Sequence, residues 1–181
     1  MPAVWTIGHS NRTFGEFRDL LRAAGIEQAV DVRRYPASRK WPHFGAASLA
    51  AALPAGGIAY LPMPDLGGRR DARPDSPHTA WRNDAFRGYA DFLDGAEAKA
   101  ALARLEEAAG SRPTAFFCAE AVPWRCHRSL VADALTARGW TVLDILGPSS
   151  VRPHCLPDFA RVEAGRVVYD AGVQPGLPLV R

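Results

Sequence analysis

Short apolar runs alternate with stretches of helical period along most of this chain, and that alternation restricts the fold more than any other feature. Residues 4–7 read as a short buried strand. Thr13 followed three residues later by Glu16 is a capping-box signature. Behind it Phe14, Phe17, Leu20, Leu21 and Ala24 share one face of a helix, which Gly25 is placed to end. Residues 28–32 give a second strand, 46–53 a short helix closed by Gly56-Gly57, and 58–61 a third strand. A β-α-β-α-β succession favours a parallel sheet with helices packed on it. Helices over 85–93 and 96–109 follow, then a strand over 114–118 with no charged residue, which places it centrally. A helix over 127–138, stopped by Gly139, and a strand over 140–146 complete the pattern. Residues 162–168 around Ala164-Gly165 read as a small hairpin, and the Pro-rich 172–181 as an arm. The expected fold is α/β: a mostly parallel central sheet of about five strands, helices on both faces and a small C-terminal hairpin, in one domain spanning 1–181. Residues 35–45 and 62–82 are loops; one as long as the second is usually a functional lid or mobile.

Bulk properties narrow the class. With 48% hydrophobic and 23% charged residues the composition is that of a globular chain rather than a disordered one. No apolar run approaches the ~18 residues needed to span a bilayer, so no membrane partner is expected. MPAVWTIGHSNR has no basic segment leading into an apolar one, so no signal peptide is expected. Three cysteines, Cys118, Cys126 and Cys155, make no disulfide framework, which favours a reducing, cytoplasmic setting. A net charge of +3 does not by itself imply nucleic acid. All the basic residues except Lys40 and Lys99 are Arg. GC-rich codons account for most of that bias. Because the Arg fork also suits phosphate and carboxylate, the positions of these residues decide what the bias means.

Those positions converge. In an open α/β sheet, ligands bind outside the carboxyl ends of the strands. His9, Ser10 and Asn11 follow the first strand; Asp31, Arg33 and Arg34 end the second, with Ser38, Arg39 and His43 behind them. Arg69 and Arg70 follow the third strand. Cys118 and Glu120 end the fourth, before Arg125, Cys126, His127, Arg128 and Ser129. A Cys between a strand end and a helix start can be a reactive thiolate, since the helix dipole and nearby Arg depress its pKa; the alternative is a small buried hydrophobe. His9 and His127 are the better acid/base candidates, and Asp31 and Glu120 are either further ones or partners of Arg. Ser10, Arg33, Arg34, Arg39, Arg69, Arg70, Arg125, Arg128 and Ser129 are the candidate anion-binding residues. Cys118, Cys126, His127, His154 and Cys155 are metal-ligand types, but no Cys-x-x-Cys or His-x3-His spacing joins them, so neither metal nor cofactor is expected. Trp41, Trp81 and Trp124 either stack a base or sugar or plug the loops onto the sheet. The function expected is that of an enzyme, a Cys118-dependent transferase or hydrolase acting on a phosphorylated or sulfur-bearing small molecule. The alternative is a nucleotide- or nucleic-acid-binding module without covalent chemistry. The expected partner is a small anion (phosphate, sulfate or nucleotide), with nucleic acid as a further possibility.

Two resemblances carry these motifs. Asp31-Val32-Arg33, and Arg128-Ser129 opening a helix after a Cys-bearing strand, resemble rhodanese, whose loops and those of tyrosine phosphatases place five residues between Cys and Arg. Here Arg125 and Arg128 stand seven and ten positions after Cys118. More extensively, Thr-Ile-Gly-His-Ser-Asn-Arg-Thr (6–13), Val-Asp-Val-Arg-Arg-Tyr-Pro-Ala-Ser-Arg (30–39), Leu-Gly-Gly-Arg-Arg (66–70), Phe-Arg-Gly-Tyr-Ala-Asp (86–91) and Cys-Ala-Glu-Ala-Val-Pro-Trp-Arg-Cys-His-Arg-Ser (118–129) resemble a bacterial family called domain of unknown function 488. That resemblance implies an α/β fold and a single site shared by these motifs, and brings no settled activity.

Overall fold

The structure, a computed structural model, describes residues 1–37 and 39–170, so Ser38 and the expected arm over 172–181 lie outside it. Strands β1 (Ala3–Gly8), β2 (Gln28–Asp31), β3 (Ala59–Pro62), β4 (Thr114–Cys118), β5 (Thr141–Gly147) and β6 (Ser150–Pro153) form one sheet in the order β3-β2-β4-β1-β5-β6. The first five are mutually parallel and β6 returns antiparallel on the edge. Strands β7 (Ala160–Glu163) and β8 (Arg166–Tyr169) form the C-terminal hairpin, turned by Ala164 and Gly165 at φ 50° and 76°. Positive φ at both turn residues is what a two-residue hairpin loop requires to match strand twist.

Helices α1 (Phe14–Ala23) and α2 (Ala46–Ala55) cover one face of the sheet, while α3 (Asp84–Leu93), α4 (Ala96–Ser111), α5 (Arg128–Ala137) and the hairpin cover the other. The period-2 alternation of β4 joins the two cores: Ala115 and Phe117 pack beneath α1 and α2, Phe116 and Cys118 beneath the opposite layer. All five residues of β4 are buried. Local sequence sets the helix ends. The Thr13–Glu16 capping box is formed in both directions, Gly25 at φ 69° ends α1, and the Asn83 side chain caps α3 at Ala85 N–H. No helix among the described residues is long and apolar enough to cross a membrane.

The long segment 62–82 is anchored rather than lid-like. Leu66 and His78 are wholly buried, Tyr89 donates to the Leu66 carbonyl at 2.6 Å, and Arg73 N–H donates to Asp91 at 2.8 Å.

This topology fixes where a ligand can enter. β1 and β4 are neighbours, yet the chain leaves β1 through α1 toward β2 and leaves β4 through α5, on the opposite face, toward β5. A crevice opens where such connections diverge.

Candidate functional site

Two adjoining clefts lie along that carboxyl edge. One, of about 420 Å³, is lined by Arg33, Arg34, Arg69, Arg125, Cys118 and His127, among others. The second, about 380 Å³, contains His9, Ser10, Asn11, Lys40 and Trp41, and shares Arg33, Tyr35, Ala119 and Glu120 with the first.

The sulfur side is built by β4 and the turn that follows it. Cys118 ends β4; a 3-10 turn over Pro123–Arg125 then folds the chain back, so that Cys126 and His127 return beside it. Cys118, Cys126 and His127 each bring one potential ligand atom within 4.8 Å of the others. Cys118 and Cys126 are buried. The His127 Nε2–H donates to the Val32 carbonyl at 3.2 Å, and Nδ1 sits 3.7 Å from Cys126 Sγ. Hydrogen bonding from Cys126, against the cost of burial and with help from His127, holds the Cys118 thiol well below its usual range. Donation to Cys118, reinforced by burial, pushes Cys126 up.

The other side is a closed polar network. Asp31 accepts from Arg33 N–H, Nε and Nη2, the last at 2.6 Å, and from Tyr60 O–H at 2.8 Å. Burial, then Asp31, raises the Tyr60 hydroxyl. His9 Nδ1–H donates to the Ser10 carbonyl at 3.0 Å, so Nε2 accepts from Arg33 at 3.2 Å. The His9 ring stacks on Phe44 at 4.1 Å. Burial, with the Arg33 charge, lowers its pKa to about 4. Asp31 and His9 therefore hold Arg33 in place; neither presents a free lone pair for proton transfer.

The arginines divide by what they touch. Arg34, Arg69 and Arg125 line the first cleft, and the Arg34 and Arg69 guanidinia lie 5.7 and 5.9 Å from the centroid of the exposed Tyr35 ring. Arg70 turns away, stacked on Phe92 at 3.7 Å and bonded to the Asp65 and Gly67 carbonyls. Arg39 is exposed and lines neither cleft. Arg128 is 1% exposed, its guanidinium donating to the carbonyls of Glu120 and Ala121. It holds the loop after β4 and does not face the cleft. Ser129 donates to the Cys126 carbonyl at 3.0 Å. Ser10 lines the second cleft, and Glu120 is exposed on the rim of both. Of the tryptophans, Trp41 lines the second cleft, Trp81 stacks on Phe86, and Trp124 is exposed on a separate pocket.

Residue-by-residue sequence reasoning missed Arg12, which donates to the Gly8 and Leu146 carbonyls, and Tyr35 and Phe86 in the cleft wall. It also missed a buried cluster behind α5. His154 donates to Asp133 at 2.7 Å and Asp144 at 3.2 Å, and Tyr169 donates to Asp133 at 2.6 Å. Burial disfavours the imidazolium, but these bonds outweigh it and raise His154 to about 9. Cys155 is exposed beside this cluster, so the five metal-type residues split into two groups.

No curated protein and no solved structure matches the chain, so the resemblance to rhodanese gains no support. The model of one family, Domain of unknown function DUF488, matches residues 13–135. The motifs that form the two clefts lie largely within that span, and the chain belongs to this family.

Proposed function

We propose that this protein is an enzyme that uses Cys118 as the nucleophile in group transfer from a small anionic substrate. One observation carries the reading: Cys118 lines a cleft at the strand divergence together with Arg34, Arg69 and Arg125, beside a second thiol. The arginines supply the anion site, and Arg33, fixed by Asp31 and His9, shapes its wall. Of the two substrate classes, the neighbouring Cys126 favours the sulfur-bearing one, because a second thiol can take over a carried sulfur. With a thiosulfonate-type donor, the Cys118 thiolate attacks the outer sulfur, the S–S bond breaks, and the sulfur oxyanion leaves with the bonding pair. Cys118 is then a persulfide. With a phosphate ester the thiolate attacks phosphorus, the P–O bond breaks and the alkoxide or phenolate leaves with the bonding pair, an alkoxide taking its proton from water.

Intact-mass and peptide-mapping measurements on metal-free protein, after incubation with thiosulfate or p-nitrophenyl phosphate, test this. One sulfur or one phosphoryl group on Cys118, lost in Cys118→Ser and kept in Cys155→Ser, is expected. No adduct with either donor, together with a Cys118 that iodoacetamide reaches only after denaturation, refutes it. The exposed Tyr35 ring, with the Arg34 and Arg69 guanidinia near it, favours a second reading, nucleotide or nucleic-acid binding without covalent chemistry. Phosphate contacts make that binding salt-dependent. Fluorescence-anisotropy titrations with mononucleotides, single strands and duplex at two salt levels test it, and no binding at low salt removes it.

A further inference from the structure

We propose that Cys118, Cys126 and His127 form a metal site for a thiolate-preferring ion such as Zn²⁺, with its fourth position open to the Arg-lined cleft. Two soft sulfurs and an imidazole are the donor set that selects zinc over hard cations. Three protein ligands with an open position characterise catalytic rather than structural zinc. At a Zn–S bond of about 2.3 Å, tetrahedral ligand atoms stand about 3.5–3.8 Å apart. The three groups already lie within 4.8 Å of one another, so side-chain rotation of about 1 Å closes the site.

The surroundings of His127 give an independent observation. A backbone carbonyl only accepts, so the contact to Val32 at 3.2 Å places the ring proton on Nε2. In the neutral imidazole, the form that binds a metal, Nδ1 then carries the lone pair on the sulfur side, 3.7 Å from Cys126 Sγ. Metal-bound histidines are oriented in this way, with the distal N–H held by a carbonyl or carboxylate. Gly68 keeps the approach to Nδ1 clear: a Cβ there would come within 3.0 Å of that nitrogen and 3.2 Å of Cγ. Charge is also compatible. Two thiolates neutralise Zn²⁺, so the nearby arginines do not expel the ion; they favour an anion as its fourth ligand. Sequence spacing conceals the set, because one ligand ends a strand and the other two follow a turn.

This inference goes beyond the group-transfer reading. Coordination and free-thiol chemistry are alternative states of the same three side chains. Reduced, chelator-treated protein is titrated with Co²⁺. One equivalent is expected to produce a thiolate-to-cobalt charge-transfer band with tetrahedral d–d bands, displaced by Zn²⁺. Cys155→Ser keeps the spectrum, and His127→Gln weakens binding by about tenfold or more. In the unmodified chain, Zn²⁺ is expected to slow iodoacetamide labelling of Cys118 and Cys126 at least tenfold and to leave Cys155 unchanged, a readout that needs no folded variant. Absence of the charge-transfer band at one equivalent, or protection that falls on Cys155, overturns the site. Cobalt binding without a sulfur or phosphoryl adduct on metal-free protein refutes the transfer reading alone. An adduct without cobalt binding refutes the metal site alone.

Discussion

Replacing Arg128 by Lys separates a loop-holding arginine from a ligand-facing one. Arg128 is 1% exposed, and its two terminal nitrogens donate to successive carbonyls, Glu120 and, at 3.0 Å, Ala121. A lysine has one nitrogen where the guanidinium places two, so it cannot reproduce both contacts in this geometry. A hydrogen bond to a charged group contributes about 1.5–3 kcal/mol. Weakening of one such contact, together with the lost packing of the guanidinium, sets the expected cost of Arg128→Lys at about 2–3 kcal/mol. For a domain of this length each kcal/mol lowers Tm by about 2–4 °C, which gives a fall of about 4–12 °C. The assay is thermal unfolding without ligand, followed by circular dichroism and repeated by urea titration. Arg125→Lys, in the cleft wall, is the control: a surface change of that kind stays within about 0.5 kcal/mol. An Arg128→Lys protein that melts within about 2 °C of the unmodified one shows that the carbonyl contacts hold nothing.

The remaining predictions concern other parts of the framework. His154 is raised to about 9, so its contribution is complete below the unfolded pKa near 6.5 and is lost as pH rises through 9. Urea titrations from pH 6 to 9.5 should show a decline of about 3 kcal/mol that Asp133→Asn flattens; a pH-independent midpoint refutes it. Gly8→Ala should destabilise severely or abolish folding, because a Cβ there would stand 1.7 Å from the Glu120 carbonyl oxygen; a variant that expresses and melts normally counts against this packing. Asp31→Asn leaves the buried Arg33 without its counter-charge and should cost about 3–5 kcal/mol in denaturant titrations. If Asp31 were instead an exposed acid/base group, the same change would leave stability intact.

Much of the fold could be read because local signals and global packing agree. Thr13, Glu16 and Gly25 mark the ends of α1 by hydrogen bonding and backbone conformation alone. The uncharged β4 lies where a strand buried on both faces must lie. β6 gave no signal, since an edge strand exposed along its length carries no hydrophobic alternation. The carboxyl-edge location of the site follows from strand-end chemistry, but the state of each residue depends on tertiary contacts. Nothing local says that Asp31 is saturated with donors, or that Arg128 points back into the loop before its helix. Spacing rules look for ligands within one local segment. They do not register Cys118 meeting Cys126 and His127 across a chain reversal, nor the assembly of His154, Asp133, Asp144 and Tyr169 from four separate stretches.

The outermost strands, β3 and β6, each end in proline, Pro62 and Pro153. Proline has no N–H to donate, so a foreign strand aligned on either border loses a rung of its ladder at that end. Both borders of the sheet thus resist templated growth into neighbouring molecules. Association through the six-stranded sheet is thereby disfavoured at both borders, which leaves the helical layers, the loops and the β7-β8 hairpin as the other surfaces where copies can meet.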